Sequence, residues 1–202
     1  MAVIVNGDGT EKIVSTSVVT TNGVALKVDG STTVKIIDNA KSFSDVPATN
    51  VFFNEISSLS ARNIMIGVSN EKFNLSGKVT LDQIANVAGR IVGSVDVADF
   101  KSGIAWGKTN GLKSGSDSAT RGDVLKALYI AAGSPAVTDT SILAQFKDSI
   151  PEELKAIAAW AAQNGILKGS IDSNGALIAN LDTNVTRGQA CALAGRTLNT
   201  LG

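Results

Sequence analysis

Histidine is absent from the 202 residues of this chain, and cysteine occurs once. Histidine is the commonest general base of enzymes and a frequent zinc ligand, so its absence argues against both kinds of site. We therefore expect no catalytic residue, no metal ion and no cofactor, and we predict that the chain is not an enzyme. Cys191 cannot form a disulfide within the chain, and its Ala- and Leu-rich surroundings predict a buried, unreactive thiol.

An excess of charge and long hydrophobic runs are missing as well. Lysine plus arginine and aspartate plus glutamate number 18 each, which gives a formal net charge of zero. Nucleic-acid-binding domains normally carry a basic excess, so we expect no nucleic acid partner. No apolar run approaches the ~18 residues of a membrane span, and no signal peptide pattern follows Met1 in this chain.

Aromatic residues make up only 4% of the chain, whereas apolar residues make up 44%. The core must then consist of Ala, Val, Leu and Ile, which suits closely packed helices. Residues 43–202 are accordingly predicted to be mainly α-helical.

Residues 1–42 differ, because β-branched runs alternate there with turn sequences such as 6–9 (NGDG). They predict a β-hairpin or meander of three or four short strands. So few residues cannot bury a stable core alone. We therefore expect the segment to dock on the helical domain, on a symmetry mate or on a larger assembly.

One helix-turn-helix pattern occurs three times along the rest of the chain. Its turn contains Asn63, Gly111 or Gly165, where a left-handed residue is expected to end the first helix. Its second helix begins at a threonine that is followed three residues later by Gln or Asp, which is the capping box. These threonines are Thr80, Thr120 and Thr186. The repeats cover approximately residues 43–93, 94–134 and 143–202.

Together these residues resemble a known family. The order Phe-x-Asp, AIxWAxxxGIxxG, a loop and then (V/I)TRx(E/Q) resembles the S-layer homology (SLH) repeat of bacterial cell-surface proteins. The third repeat matches most fully, whereas the first keeps only its 43–46 (FSDV) start and its caps. Three tandem repeats imply a pseudo-threefold domain, in which the capped helices form a central three-helix bundle and the helix-turn units project as prongs. Grooves between such prongs bind acidic, often pyruvylated, cell-wall polysaccharide.

Arg121 and Arg187 directly follow the capping threonines of the second and third repeats. A cation in the first helical turn opposes the helix dipole, so either a bound anion or a paired carboxylate such as Asp148 is expected nearby. The resemblance favours the bound anion and implies that both arginines contact the glycan. Leu81 stands in the same position of the first repeat and cannot bind a carboxylate, so its groove is predicted to be the poorest.

The resemblance implies further glycan-binding residues in the third repeat. Lys168 and the backbone from Gly165 to Gly169 are expected to line the groove with the two arginines. Asp148 and Trp160 are expected to position the sugar ring.

Two assignments stay open at the level of sequence. Trp106 and Trp160 occupy the same repeat position, and either core packing or sugar stacking suits them. In the second repeat, either Asp96 or Asp99 is the counterpart of Asp148.

Two classes of function follow from these observations. The first is a non-catalytic glycan-binding module that attaches its owner non-covalently to acidic, pyruvylated secondary cell-wall polysaccharide at the extracellular cell surface. The alternative is a structural decoration or fibre protein of a virion or other shell, which residues 1–42 fix in place and which displays the SLH-like domain on the virion surface. The protein partners expected are a larger assembly, joined through residues 1–42, and further copies of the chain in a homo-oligomer.

Overall fold

The structure, a computed structural model, describes residues 1–26, 28, 30–93 and 99–201. The fold is mixed and mostly helical, with 38% of residues in helices and 14% in strands, as the composition predicted. Within these ranges, no helix combines the length and the apolar character needed to cross a membrane.

Along the described residues, six α-helices follow the strand segment. They are α1 (Phe53–Ala61), α2 (Leu81–Ile91), α3 (Phe100–Thr109), α4 (Arg121–Ala131), α5 (Lys155–Gln163) and α6 (Arg187–Leu201). Two short 3₁₀ helices, Ser141–Gln145 and Glu152–Leu154, precede α5. The helices therefore form three successive pairs, each joined by a tight turn and a loop.

The second helices of the three pairs, α2, α4 and α6, contact one another and form the centre of the core. The first helices pack around them, with α3 on α2, α5 on α4 and α1 on α6. We call α2, α4 and α6 the inner helices and α1, α3 and α5 the outer helices. The outer helices α3 and α5 each pack on the inner helix of the preceding pair, and α1 packs on α6 of the last pair. Gly103 and Gly107 let α3 approach α2, because a Cβ there would lie 2.2 Å from Asn86 or 2.7 Å from Ala85.

The tight turns have the conformation that the sequence predicted. Asn63, Gly111 and Gly165 are left-handed, with φ of 55°, 69° and 67°. The next N–H closes the helix end in each case. These bonds run from Ile64 to the Leu59 carbonyl, from Leu112 to that of Gly107 and from Ile166 to that of Ala161.

The inner helices begin with the predicted capping boxes. The backbone N–H three residues on donates to the threonine hydroxyl at 3.2, 3.1 and 3.3 Å for Thr80, Thr120 and Thr186. The side chain of that third residue accepts from the threonine N–H at 3.1, 3.0 and 2.9 Å. Two N–H groups that the helix cannot satisfy are paired in this way, which fixes where each helix starts.

Within the described part of residues 1–36 there are five short strands. They are β1 (Ala2–Val5), β2 (Glu11–Ile13), β3 (Val18–Thr20), β4 (Gly23–Ala25) and β5 (Thr33–Ile36). The first, second and fifth form an antiparallel sheet of order β2-β1-β5, and β3 and β4 form a separate hairpin. The count of five exceeds the three or four strands expected. A further hairpin, β6 (Ser170–Ile171) and β7 (Leu177–Ile178), lies in the loop between α5 and α6.

The strand segment packs on the ends of the helices. Arg62, just after α1, is 7% exposed and donates from Nε to the Ser17 carbonyl at 2.8 Å. Asn39 donates from Nδ2 to the Ala61 carbonyl at 2.7 Å. The strand segment therefore contacts the helical domain, which is one of the docking partners that the sequence suggested.

Candidate functional site

The segments that lead into α2, α4 and α6 meet at the centre of the molecule. Val79, Ala119 and Val185, which precede the capping threonines, are fully buried. Their backbones form a closed circle of hydrogen bonds. The Val79 N–H donates to Val185 O at 3.4 Å, the Ala119 N–H to Val79 O at 2.8 Å, and the Val185 N–H to Ala119 O at 3.1 Å.

The first two N–H groups of each inner helix have no acceptor within the helix, and they donate instead to the loop of another helix pair. In α2, the Leu81 N–H donates to Asp117 O and the Asp82 N–H to Gly115 O. In α4, the Arg121 N–H donates to Thr183 O and the Gly122 N–H to Leu181 O. In α6, the Arg187 N–H donates to Gly77 O and the Gly188 N–H to Leu75 O, and all six distances lie between 2.8 and 3.2 Å. We call these contacts the α2, α4 and α6 junctions. Each junction joins the start of one inner helix to the loop of another helix pair.

Arg187 secures the α6 junction. Its side chain is 6% exposed, and it donates from Nε to Phe73 O at 2.9 Å and from Nη2 to Ile66 O at 2.7 Å. The guanidinium also stacks on the Phe73 ring, 4.8 Å from its centroid. Asp45 accepts from the N–H groups of Phe73 and Asn74 at 2.8 and 2.7 Å. Arg187 therefore holds the carbonyl of Phe73, and Asp45 holds the N–H of the same residue.

Arg121 and Asp148 repeat this arrangement at the α4 junction. Arg121 Nη1 donates to Ala179 O at 3.0 Å, and Asp148 accepts from the N–H groups of Ala179 and Asn180 at 2.7 Å each. Asn180 is left-handed with φ of 54°, as Asn74 is with φ of 62°. The predicted proximity of Arg121 and Asp148 is present, although in the described part of the chain they hold one loop residue from two sides and form no ion pair with each other.

The α2 junction is built differently. Leu81 occupies the arginine position, and the loop that it meets has only four residues between Gly115 and Thr120. Asp82 accepts from the Gly115 N–H at 2.8 Å, which secures the short loop from within α2. The depression beside Leu81 has a volume of only about 30 Å³.

A larger cleft, which we call the arginine cleft, lies beside Arg187 and has a volume of about 210 Å³. It is bounded by residues 65–68, by the side of α2 that carries Gln83 and Arg90, and by Phe100 at the start of α3. Ile66, Val68 and Phe100 are 43%, 57% and 46% exposed. The cleft therefore combines a guanidinium wall with exposed apolar edges.

Burial lowers the pKa of both Arg187 and Arg121 below the usual arginine value. Cys191 and Asp45 oppose this for Arg187, as Asp148 does for Arg121. Both guanidinium groups stay charged at neutral pH, because the arginine pKa starts above 12. Complete burial raises the pKa of the Cys191 thiol, which agrees with the predicted lack of reactivity.

Three further predicted residues, Gly165, Lys168 and Gly169, lie at the turn that follows α5. Lys168 and Gly165 are exposed, and Gly169 lies beside Ile178, next to the loop residue that Arg121 holds. Of these residues, Gly169 is the one that the structure places next to the loop held by Arg121 and Asp148. The structure places Arg187 elsewhere, against the turn of the first helix pair.

The two tryptophans both contribute to packing. Trp160 is 6% exposed and contacts Tyr129 edge-on, with the ring centroids 5.4 Å apart. Trp106 is half-buried and packs against the same core. Of the two roles that the sequence left open, core packing is the one that these contacts favour.

Asp99 is one of the two candidates for the counterpart of Asp148 in the second repeat. It caps α3 by accepting from the N–H groups of Lys101 and Ser102 at 3.0 and 3.2 Å, and among the described residues it holds no distant loop as Asp148 does. Asp96, the other candidate, lies outside the described residues.

Two features of these junctions are not among the residues that the sequence predicts. Asp45 is one of them, although it follows Phe43 in the same Phe-x-Asp pattern as Asp148, so the repeat pattern contains the signal. The apolar edges of the arginine cleft gave no signal, because an isolated Val68 or Phe100 reads as a core residue until the fold exposes it.

No known family model matches the chain, and no curated protein matches it in sequence. Among the described residues, no cluster of His, Cys, Asp or Glu side chains could hold a metal ion.

Proposed function

We propose that this chain is a non-catalytic glycan-binding module of the SLH type, and that it attaches its owner to acidic, pyruvylated cell-wall polysaccharide. Three tandem repeats with pseudo-threefold symmetry, a central bundle of α2, α4 and α6, and prongs made by the helix-turn units are parts of this proposal. The cyclic hydrogen bonds at the three helix starts support it, because each junction uses the same backbone groups. Similarity of sequence alone would not require the three helix starts to form equivalent hydrogen bonds.

The observation that carries the proposal is the position of Arg187 in the arginine cleft. Nε and Nη2 are used by backbone carbonyls, whereas within the described ranges Nη1 has no acceptor. A ligand carboxylate at Nη1 would form a charge-assisted hydrogen bond, which is stronger than a neutral one. The exposed edges at Ile66, Val68 and Phe100 would contact the methyl group and the C–H face of a pyruvylated sugar.

The α4 junction is the second proposed groove, and it contains Arg121 and Asp148. Within the described residues, Arg121 uses one guanidinium nitrogen for Ala179 O, so further donors remain there for a carboxylate. Lys168 and the backbone from Gly165 to Gly169 lie on the adjacent turn, and Asp148 keeps the loop in place. The groove beside Leu81 is proposed to be the poorest, because it lacks an arginine and has the smaller volume.

The test uses the unaltered chain and two forms of one polysaccharide. Pyruvylated cell-wall polysaccharide should retain the protein, above all when several copies share one particle, because linked weak sites add avidity. The same material after removal of its pyruvyl groups by mild acid should not. Equal retention on both forms, or retention on neither, would contradict the proposal.

A variant pair locates the binding without disturbing Arg187. Phe100→Ala truncates an edge of the arginine cleft, and Val51→Ala truncates an exposed apolar side chain, 81% exposed, away from the cleft. Burial of an aromatic side chain contributes roughly 1.5–3 kcal/mol, so Phe100→Ala should weaken binding about tenfold or more. Val51→Ala should leave binding unchanged, and equal effects of the two would place the glycan elsewhere.

A structural role in a shell is the second candidate, and strand β5 favours it. All four residues of β5 are exposed, and among the described strands it pairs only with β1. An open strand edge can accept a strand from another chain. Deleting residues 1–40 should then abolish assembly in sedimentation velocity while circular dichroism keeps its helical signal, whereas an unchanged assembly state would exclude this role for the segment.

A further inference from the structure

A second groove lies at the turn that contains Asn63, next to the arginine cleft. Its volume is about 620 Å³, within the range of roughly 300–1,000 Å³ typical of small-molecule sites. Lys41, Phe43, Asn63 and Asn70 line it together with the ridge formed by Ile66 and Gly67. We call it the amide groove.

The two grooves are neighbours that share this ridge. Ile66 and Gly67 line both of them, and the Ile66 carbonyl is held by Arg187 Nη2. A chain molecule that places one unit in the arginine cleft can therefore place its next unit in the amide groove. The ridge is kept in position by the same arginine that we assign to the acidic unit.

The lining of the amide groove suits an uncharged, hydroxyl-bearing ligand unit. Asn63 and Asn70 each offer an amide donor and acceptor, and Lys41 offers a donor. Phe43 and Ile66 provide apolar surface for the C–H face of a sugar ring. No aspartate or glutamate occurs among the described residues that line it, and its only charge is the exposed Lys41 ammonium.

Asn63 distinguishes this turn from the other two. The corresponding positions are Gly111 and Gly165, and all three are left-handed. The first turn therefore carries a polar side chain at a position where glycine forms the same backbone. Lys41 likewise corresponds to Ala144 in the third repeat, so these two donors are particular to the first repeat.

We propose that the amide groove is a second sugar subsite, which binds the neutral sugar next to the acidic sugar in the arginine cleft. This inference rests on the proposed glycan-binding function. It adds a substrate class, an acidic sugar linked to a neutral one, and it assigns Lys41, Asn63 and Asn70 to binding.

The test compares two ligands by isothermal titration calorimetry. One is the methyl glycoside of a pyruvylated hexose, and the other is a trisaccharide in which the same sugar is linked to two neutral hexoses. The full chain should bind the trisaccharide about tenfold more tightly, as expected when two or three further hydrogen bonds form. The double variant Asn63→Gly, Asn70→Ala should bind the single sugar unchanged and lose this gain.

The variants are chosen to leave the fold intact. Glycine is well suited to the left-handed conformation at position 63, where Asn63 has φ of 55°, and Asn70 is exposed. Asn54→Ala, at an exposed position of α1 outside the groove, is the matched control and should keep the tenfold gain.

The outcomes separate this inference from the proposed function. If the wild-type chain binds neither ligand, the glycan function fails and the subsite fails with it. If it binds both equally, or if the double variant keeps the gain, the arginine cleft stands and the amide groove is not a subsite.

Discussion

The α6 and α2 junctions perform the same task with different side chains. At the α6 junction, Arg187 from the helix and Asp45 from the preceding segment hold a loop of twelve residues between Gly67 and Thr80. At the α2 junction the loop has four residues, and one carboxylate, Asp82, is enough to hold it. The arginine therefore has a structural role at both junctions with long loops.

The second residue of each inner helix also differs between the junctions with long loops and the junction with a short loop. Gly122 and Gly188 stand there at the two junctions with long loops, because loop and helix side chains occupy the space that a Cβ would need. Asp82 stands there at the short loop, where that space is free for a side chain. Arg and Gly therefore occur together at the two long loops, and Leu and Asp occur together at the short one.

The largest expected effect comes from removing the arginine that holds a long loop. Arg187→Ala should lower the free energy of unfolding by about 3 kcal/mol or more, because hydrogen bonds from a charged donor contribute roughly 1.5–3 kcal/mol each and two carbonyls lose their partner. Leu81→Ala is the matched change at the α2 junction. It should cost only about 1 kcal/mol, since it removes a half-buried apolar side chain and no hydrogen bond.

Urea unfolding followed by circular dichroism measures both variants. Equal losses would mean that the arginine does not distinguish the junctions. A loss below about 1 kcal/mol for Arg187→Ala, together with weaker glycan binding, would assign the residue to the ligand alone.

The second helical residue gives a smaller effect. A Cβ at Gly188 would lie 2.7 Å from Leu75 Cδ1 and 2.8 Å from Phe52 Cδ2, so Gly188→Ala should destabilise the chain by about 1–3 kcal/mol through overpacking. Asp82→Ala should cost about 1 kcal/mol for the lost bond to Gly115. Thermal unfolding of both variants tests this, and a stabilised Gly188→Ala would show that Leu75 and Phe52 move aside and that the higher helix propensity of alanine prevails.

What could be predicted from the sequence is what short-range chemistry fixes. The capping boxes at Thr80, Thr120 and Thr186 and the turns at Asn63, Gly111 and Gly165 each involve groups within a few residues of one another, so spacing alone identified them. Helix starts and ends followed from these local bonds.

The junctions could not be predicted in the same way. Arg187 bonds to Phe73, which is 114 residues away, and neither residue type indicates the other as its partner. The role of Trp160 also depended on the fold, because an amphipathic ring in an Ala-rich helix suits a core as well as a sugar site. Long-range geometry, and not residue chemistry, decided these two cases.

Acid should produce the smallest effect, through Asp45 at the α6 junction and Asp123 in the capping box at the start of α4. Burial tends to raise the pKa of each carboxyl group, but hydrogen bonds outweigh it and leave the pKa below the usual 3.8. The bonds come from loop N–H groups for Asp45, and from Thr120 with the Lys113 ammonium for Asp123. A carboxylate with a lowered folded-state pKa stabilises the fold fully above its unfolded-state value, and this contribution is lost as the pH falls through the folded-state value.

Both carboxylates should therefore begin to lose their contribution below about pH 4, and stability should be unaffected by them near neutrality. Asp45→Asn and Asp123→Asn should each lower stability at pH 7 and flatten its decline in acid. The effect of Asp123→Asn should also shrink in salt, because the Lys113 ion pair of 3.1 Å is exposed on the lysine side, whereas the backbone bonds to Asp45 should be insensitive to salt. Urea titrations from pH 7 to pH 3 at low and high salt measure this, and an unchanged acid slope in Asp45→Asn would show that the carboxylate does not hold the α6 loop in solution.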